Sequence, residues 1–185
     1  MQRAQTHHLP HPNHPNPQLV AWEAPHLNSF KLDSSVKNNS SAAGVIIRDS
    51  DGKPIAAQAF NLGTTNVFVA EAFGLHKGII LALQQGIQYL QIEGDNLLVV
   101  NAVNGIWSTP WQIDHIIADI KILFRRFPHW KIRQVYREAN RAADWIANVV
   151  HLVTDKLDIY FCTSSALYPI LTSDALGSPL VRRGS

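Results

Sequence analysis

The sequence predicts a mixed α/β fold: a five-stranded mixed sheet flanked by helices. Three observations lead there. The β-branched run Ala43-Gly44-Val45-Ile46-Ile47-Arg48 ends in Asp49-Ser50-Asp51-Gly52, a hairpin signal because Asp-Gly accepts φ > 0. From Ala70 the apolar period lengthens from two to between three and four residues. Two further alternating segments, Tyr89 to Glu93 and Trp130 to Tyr136, are then separated by helical stretches. An order βββαβααβα suits a mixed sheet with helices on its faces.

Taken in order, Phe30 to Asp33 reads as a short first strand, and Ala43 to Arg48 and Lys53 to Asn61 as the hairpin beside it. Ala70 to Gln85 reads as an amphipathic helix. Glu71, Leu75, Gly78 and Ala82 form one stripe, Phe73, Ile80, Leu81 and Leu83 add apolar surface, and Gly86 closes the helix. Tyr89 to Glu93 is the fourth strand. Asn96 to Val103 is a short helix with Asp95 as expected N-cap. Pro110 to Phe127 is a longer helix with Ile113, Ile116, Ile117, Ile120 and Leu123 on its inner face. Trp130 to Tyr136 is the fifth strand, and Asn140 to about Val150 an Asn-capped final helix.

The ends differ in composition. Of the chain's 185 residues, the first 28 hold His7, His8, His11, His14 and His26 with Pro10, Pro12, Pro15, Pro17 and Pro25, so 1–28 is expected as a disordered His/Pro-rich tail rather than a metal tract. Residues 29–152 are the expected domain, and 153–185 a tail or loosely docked extension. With 46% hydrophobic residues the bulk is globular, and a net charge of +2 does not by itself mark a nucleic-acid binder. A single cysteine, Cys162, excludes a disulfide framework and a Cys-rich zinc module. No apolar run approaches ~18 residues, so no membrane helix is expected. No secretory signal is visible, and a nuclear or cytoplasmic monomer is the default expectation.

The acids Asp33, Glu71, Asp95 and Asp144 sit on four separate elements. Singly, each has an ordinary reading: Asp33 and Asp95 as turn caps, Glu71 and Asp144 as helix N-terminal acids favoured by the dipole. With the first and fourth strands adjacent at the sheet centre, the four could instead converge. A carboxylate cluster in partly buried surroundings needs a counter-charge, and hard oxygen ligands suit Mg²⁺ or Mn²⁺.

The local contexts of these acids carry a resemblance. Ala70-Glu71-Ala72 with Gly78, Ile92-Glu93-Gly94-Asp95-Asn96 followed by Leu98-Val99-Val100, and above all Val135-Tyr136-Arg137-Glu138-Ala139-Asn140-Arg141-Ala142-Ala143-Asp144 resemble motifs of the ribonuclease H type 1 family. Within it they look most like the plant branch related to retrotransposon reverse transcriptases. Ala43 to Gly52, the lead-in Trp22, Pro25 and Phe30-Lys31-Leu32, and the tail Asp174-Ala175-Leu176-Gly177 are similar too. The resemblance implies a ribonuclease H-like fold and a hydrolase that cuts the RNA strand of RNA–DNA hybrids with two Mg²⁺ or Mn²⁺ ions. It further implies Asp33, Glu71, Asp95 and Asp144 as catalytic metal ligands, and substrate contacts at Gln134, Arg137, Asn140 and Arg141.

The first motif departs from the family. Where Lys-Leu-Asn-x-Asp-Gly-Ser is usual, the chain reads Lys31-Leu32-Asp33-Ser34-Ser35, two residues shorter. Strand parity survives such a deletion, but it removes ~7 Å of strand. Gln134 stands where a histidine is often found ten residues before the last aspartate, and it cannot shuttle a proton near neutral pH. Substrate grip would rest on Lys37, Arg125, Arg126, Lys131, Arg133, Arg137 and Arg141, with Trp107, Trp111 and Trp130 able to stack or to pack. Three functions follow as expectations: a hybrid-specific ribonuclease, a catalytically impaired nucleic-acid-binding module of retroelement origin, or a partner-binding domain on an inherited scaffold.

Overall fold

The structure is a computed structural model that describes residues 18–27, 29–37, 42–149, 156–158 and 165–182. The histidines at 7, 8, 11 and 14 and Cys162 lie outside these residues. The elements are β1 (Leu19–Val20), β2 (Phe30–Lys37), β3 (Ala42–Arg48), β4 (Pro54–Asn61), α1 (Val67–Gln84), β5 (Tyr89–Gly94), α2 (Leu97–Val103), α3 (Asp114–Phe124), β6 (His129–Gln134), a 3-10 turn (Arg137–Asn140), α4 (Arg141–Val149), β7 (Lys156–Asp158), α5 (Tyr168–Ala175) and β8 (Leu180–Val181).

The central sheet runs β6-β5-β2-β3-β4-β7. The five expected strands form it, and β7 adds a short sixth at the β4 edge. β2 pairs antiparallel with β3 and parallel with β5, which puts the first and fourth expected strands side by side at the centre. The β3–β4 turn follows its sequence signal. Asp49 Oδ1 accepts from the amides of Asp51 and Lys53, and Gly52 takes φ +78°.

Each sheet face carries its own core. Leu32, Val36, Val45 and Ile47 point toward α1, α2 and α3 and join the larger apolar cluster with Ile79, Ile92, Ile117, Ile120 and Phe124. Ile46, Ala57 and Ala59 face the other way, under Ala142, Ala143 and Ile146 of α4 and Leu167. Helix α4 lies almost on the backbone of β3. A Cβ at Gly44 would sit 2.3 Å from Ala147 N and 2.4 Å from Ala143 O. Only glycine permits that approach, and it sets the height of Asp144 above the sheet.

Several boundaries shift for local reasons. Asn96, not Asp95, caps α2, through Oδ1 to the Val99 amide at 3.2 Å. That releases the Asp95 side chain from capping. Asn140 does not cap the last helix either: a 3-10 turn precedes α4, and Asn140 Nδ2 donates to Ser34 O at 2.6 Å. Helix α3 begins only at Asp114, since residues 110–113 form a turn. Helix α1 has the length and apolarity of a membrane-crossing helix, contrary to expectation, yet half of it is buried against β2 and β3. The chain's flanks are also docked. Trp22 and Leu167 are buried, β1 pairs with β8, and Arg182 stacks on Tyr136 at 4.0 Å.

Candidate active site

Three of the expected acids meet at the end of β5. Glu71 comes from the second turn of α1, Asp95 follows β5 directly, and Asp144 lies in the first turn of α4. Burial and then the charge of Asp95 hold the Glu71 carboxyl well above its ordinary pKa, and the two side chains share a hydrogen bond. Burial likewise raises Asp95, against the pull of Glu71's hydrogen bond and of Arg137. A neutral Glu71 donating to an ionised Asp95 satisfies both. Apart from that shared proton, Asp95 Oδ1 is buried without a donor. Asp144 is held by Arg137, whose Nε donates to Oδ1 at 3.0 Å and whose Nη2 reaches the same oxygen. Burial alone would lower Arg137, but the hydrogen bond and charge of Asp144, joined by the charges of Asp95 and Glu71, together raise its pKa.

Asp33 stands apart from these three. It is fully buried on the α4 face, two residues short of their level. Arg48 Nε donates to Asp33 Oδ2 at 3.1 Å and Nη2 at 2.5 Å, while Trp22 Nε1 reaches the same oxygen at 3.3 Å. Arg48 Nη1 also holds Asp174 at 2.8 Å, and its guanidinium stacks on Trp22 at 4.0 Å. The physical reason is register. Asp33 pairs with Glu93, and Ser34 with Gly94. Continuing that register brings Ser35, not Asp33, level with Asp95. Ser35 is buried on the same face as Asp33, and its Oγ has no hydrogen-bond partner. The two missing residues preserve the face and change the depth.

The expected substrate contacts divide similarly. Gln134 is exposed, with Nε2 3.4 Å from Asp95 O. Arg137 and Arg141 line one cavity with Asp144. Asn140 is fully buried, so its role is to tie the 3-10 turn to β2. Of the other expected contacts, Arg133 is bound to Glu93 and Glu23 at 2.5 Å each, and Trp130 stacks on Phe124 at 3.9 Å. Trp107 and Trp111 are exposed, as are Arg125 and Arg126. Sequence reasoning missed the buried pairings of Arg48 with Asp174 and of Lys31 with Glu93. Alternation of Lys31, Asp33 and Ser35 along one strand face was the available signal.

Among the described residues no three metal-binding side chains stand ready as a cation cage. The donor set nevertheless fits a hard divalent ion: three carboxylates, one with a buried oxygen awaiting a positive partner.

A central β2–β5 parallel pair with an antiparallel hairpin on one side, α1 and α4 on opposite faces, and acids converging at the strand ends define a ribonuclease H-like domain. The comparisons with known proteins agree. Residues 31–150 match the reverse transcriptase-like family, and the chain belongs to it. A protein of Arabidopsis thaliana, named provisionally as a ribonuclease H protein, is 26% identical over 174 residues, covering 90% of this chain. The chain spans only 27% of that relative's length. RNase H1 of the archaeon Halobacterium salinarum NRC-1 superposes with a TM-score of 0.59 at 25% identity, over 65% of this chain and 93% of that one. LC11-RNase H1, solved with an RNA/DNA hybrid, gives 0.58 at 21% identity over 65% and 93% of the two chains.

Proposed function

We propose that this domain hydrolyses the RNA strand of RNA–DNA hybrids with a divalent cation, Mg²⁺ or Mn²⁺, held by Glu71, Asp95 and Asp144. The convergence of these three acids on a ribonuclease H-like sheet carries the reading. LC11-RNase H1, a structural neighbour bound to a hybrid, supports the substrate class. When bound, the cation would neutralise charge on the phosphodiester and activate the attacking water. The chain's own groups do the rest. Glu71 stores a proton against Asp95 and gives it up as positive charge arrives. Arg137 holds Asp144 oriented. Gln134 offers an exposed amide to the substrate without moving a proton. A second ion would need Asp33 as shared ligand, and Asp33 is spent on Arg48. The domain acts as a monomer off the membrane, α1 being committed to the core.

One observation favours a second reading, hybrid binding without turnover: the sealing of Asp33 between Arg48 and Trp22. One experiment separates the two. Labelled hybrid, RNA duplex and DNA duplex are incubated in Mg²⁺ and in Mn²⁺ with wild type and Asp95→Asn, and hybrid binding is followed against salt in chelator. Cleavage confined to hybrid and lost in Asp95→Asn supports the hydrolase. Salt-dependent binding with no cut selects the binding module. No cleavage and no binding refutes both.

A further inference from the structure

The charged groups around the sheet are paired in two distinct ways. Arg48 and Lys31 are sealed, at 0% and 1% side-chain exposure, onto Asp33, Asp174 and Glu93. Arg137 is not. Its side chain is 38% exposed and that of its partner Asp144 29%. The pair opens onto a cavity of about 570 Å³ lined by Arg137, Glu138, Arg141, Asp144, Leu180 and Val181. That volume is in the usual range for ligand sites. Arg141 Nε, on the same cavity, is buried with no hydrogen-bond partner, and its Nη2 stands 3.7 Å from Asp174. Leu180 and Val181 come from β8, so this wall lies outside the family-matched residues 31–150.

A guanidinium fork binds carboxylate and phosphate with the same two-pronged geometry. Arg137 Nη2 also has a tether, the Val36 carbonyl at 3.3 Å. The charge of Arg137 further acts on Glu71 and Asp95, so in the empty cleft it stands in for part of the positive charge a cation would bring.

We propose that Arg137 is an exchangeable counterion: it rests on Asp144 in the empty cleft, passes to a backbone phosphate of the entering nucleic acid, and so frees Asp144 for the divalent cation. This rests on the reading of the cleft as a nucleic-acid site. The charges balance at each stage. Asp144 exchanges a guanidinium for a share of the metal, and Arg137 exchanges a carboxylate for a phosphate. Arg141 flanks the position the phosphate takes. Because both ligands draw on the same ion pair, each raises the other's affinity by the same factor. A merely structural Arg137–Asp144 bridge would hold the 3-10 turn to α4 and couple nothing.

The test is a double-mutant cycle. Hybrid binding is measured in chelator, where cleavage is off, for wild type, Arg137→Gln, Asp144→Asn and the double variant. Mn²⁺ alone is titrated calorimetrically into wild type and Arg137→Gln. Asp144→Asn should tighten hybrid binding about three- to tenfold by releasing the guanidinium, and the gain should vanish in the double variant. Arg137→Gln should bind Mn²⁺ tighter by about the same factor. A gain that persists in the double variant would be simple relief of repulsion and overturns the proposal, as does equal Mn²⁺ affinity in the two proteins. If none of the four proteins binds hybrid, the nucleic-acid reading itself fails. Should Arg137→Gln not fold, Arg137→Met serves, since it keeps an apolar stem and loses the charge, and an Mn²⁺ affinity no different from wild type then overturns the proposal.

Discussion

Replacing Asp33 with asparagine separates its two possible roles. In the structure its carboxylate is 0% exposed and bound by Arg48 through Nε and Nη2, with Trp22 Nε1 on the same oxygen. Removing one partner of a buried ion pair costs roughly 3–5 kcal/mol, because the other charge is left without compensation. Here Arg48 retains Asp174 at 2.8 Å, so the lower end applies, about 3 kcal/mol. For a domain of this size that lowers a urea midpoint by about 1–2 M. The assay is urea unfolding of wild type and Asp33→Asn, with Mn²⁺ titrated into both under native conditions. The expected outcome is a large loss of stability and an Mn²⁺ affinity within about twofold of wild type, as for distant sites that do not share partners. An unchanged midpoint with Mn²⁺ binding abolished would refute the reasoning and return Asp33 to the metal site.

Three further outcomes follow from the same geometry. Gly44→Ala places a methyl group against the α4 backbone, 2.3 Å from Ala147 N, and should cost about 2–3 kcal/mol by thermal or urea unfolding, with cleavage falling as Asp144 is lifted. Glu71 has a folded pKa raised above its unfolded value, so its contribution to stability is full below the unfolded pKa and is lost as pH rises through the raised one. Urea midpoints between about pH 5 and 8 should therefore decline, flatten in Glu71→Gln, and flatten in wild type with saturating Mg²⁺. Ser35→Asp puts a carboxylate level with Asp95, where a buried hydroxyl now has no partner, and should raise Mn²⁺ affinity about tenfold or more in calorimetry; no change would show that Ser35 is not at the depth of the cluster.

What could be read in advance was whatever depends on local period. Alternation placed β2 to β6 within a few residues, and the Asp-Gly turn formed as its chemistry requires. The convergence of Glu71, Asp95 and Asp144 was legible because the motif contexts located each acid at an element end. Depth along β2 was not. Parity keeps Asp33 on one face, which the structure shows to be the α4 side, but the level of a side chain along a strand is set by pairing register with β5. Nor could the sequence disclose that Trp22 and Asp174, 152 positions apart by number (174 − 22), meet around Arg48. Such a contact has no period. The same holds for Asn140, whose position suggested a helix cap or a substrate contact until the turn before it directed the amide to Ser34.

The allocation of counter-charges explains where chemistry can reside in this domain. A buried carboxylate must be met by a cation or a proton. Asp33 has Arg48, which Asp174 of the C-terminal segment also holds, and Glu93 has Lys31; both cations lie under Trp22, while Arg133, also on Glu93, is 47% exposed. Those covers cannot leave without opening the sheet face, so those acids serve stability. At the β5 end the covers are of another kind. Glu71 and Asp95 are met by a proton, which moves freely, and Asp144 by a guanidinium with more than a third of its side chain exposed. Both can be displaced by an entering divalent ion and phosphate at small cost to the fold. The difference between a structural and a functional acid in this chain is therefore not its burial or its motif but whether its neutralising partner can be exchanged. By that criterion the proposed site is Glu71, Asp95 and Asp144, while Asp33, despite its place beside the family motif, is held in the frame by Arg48.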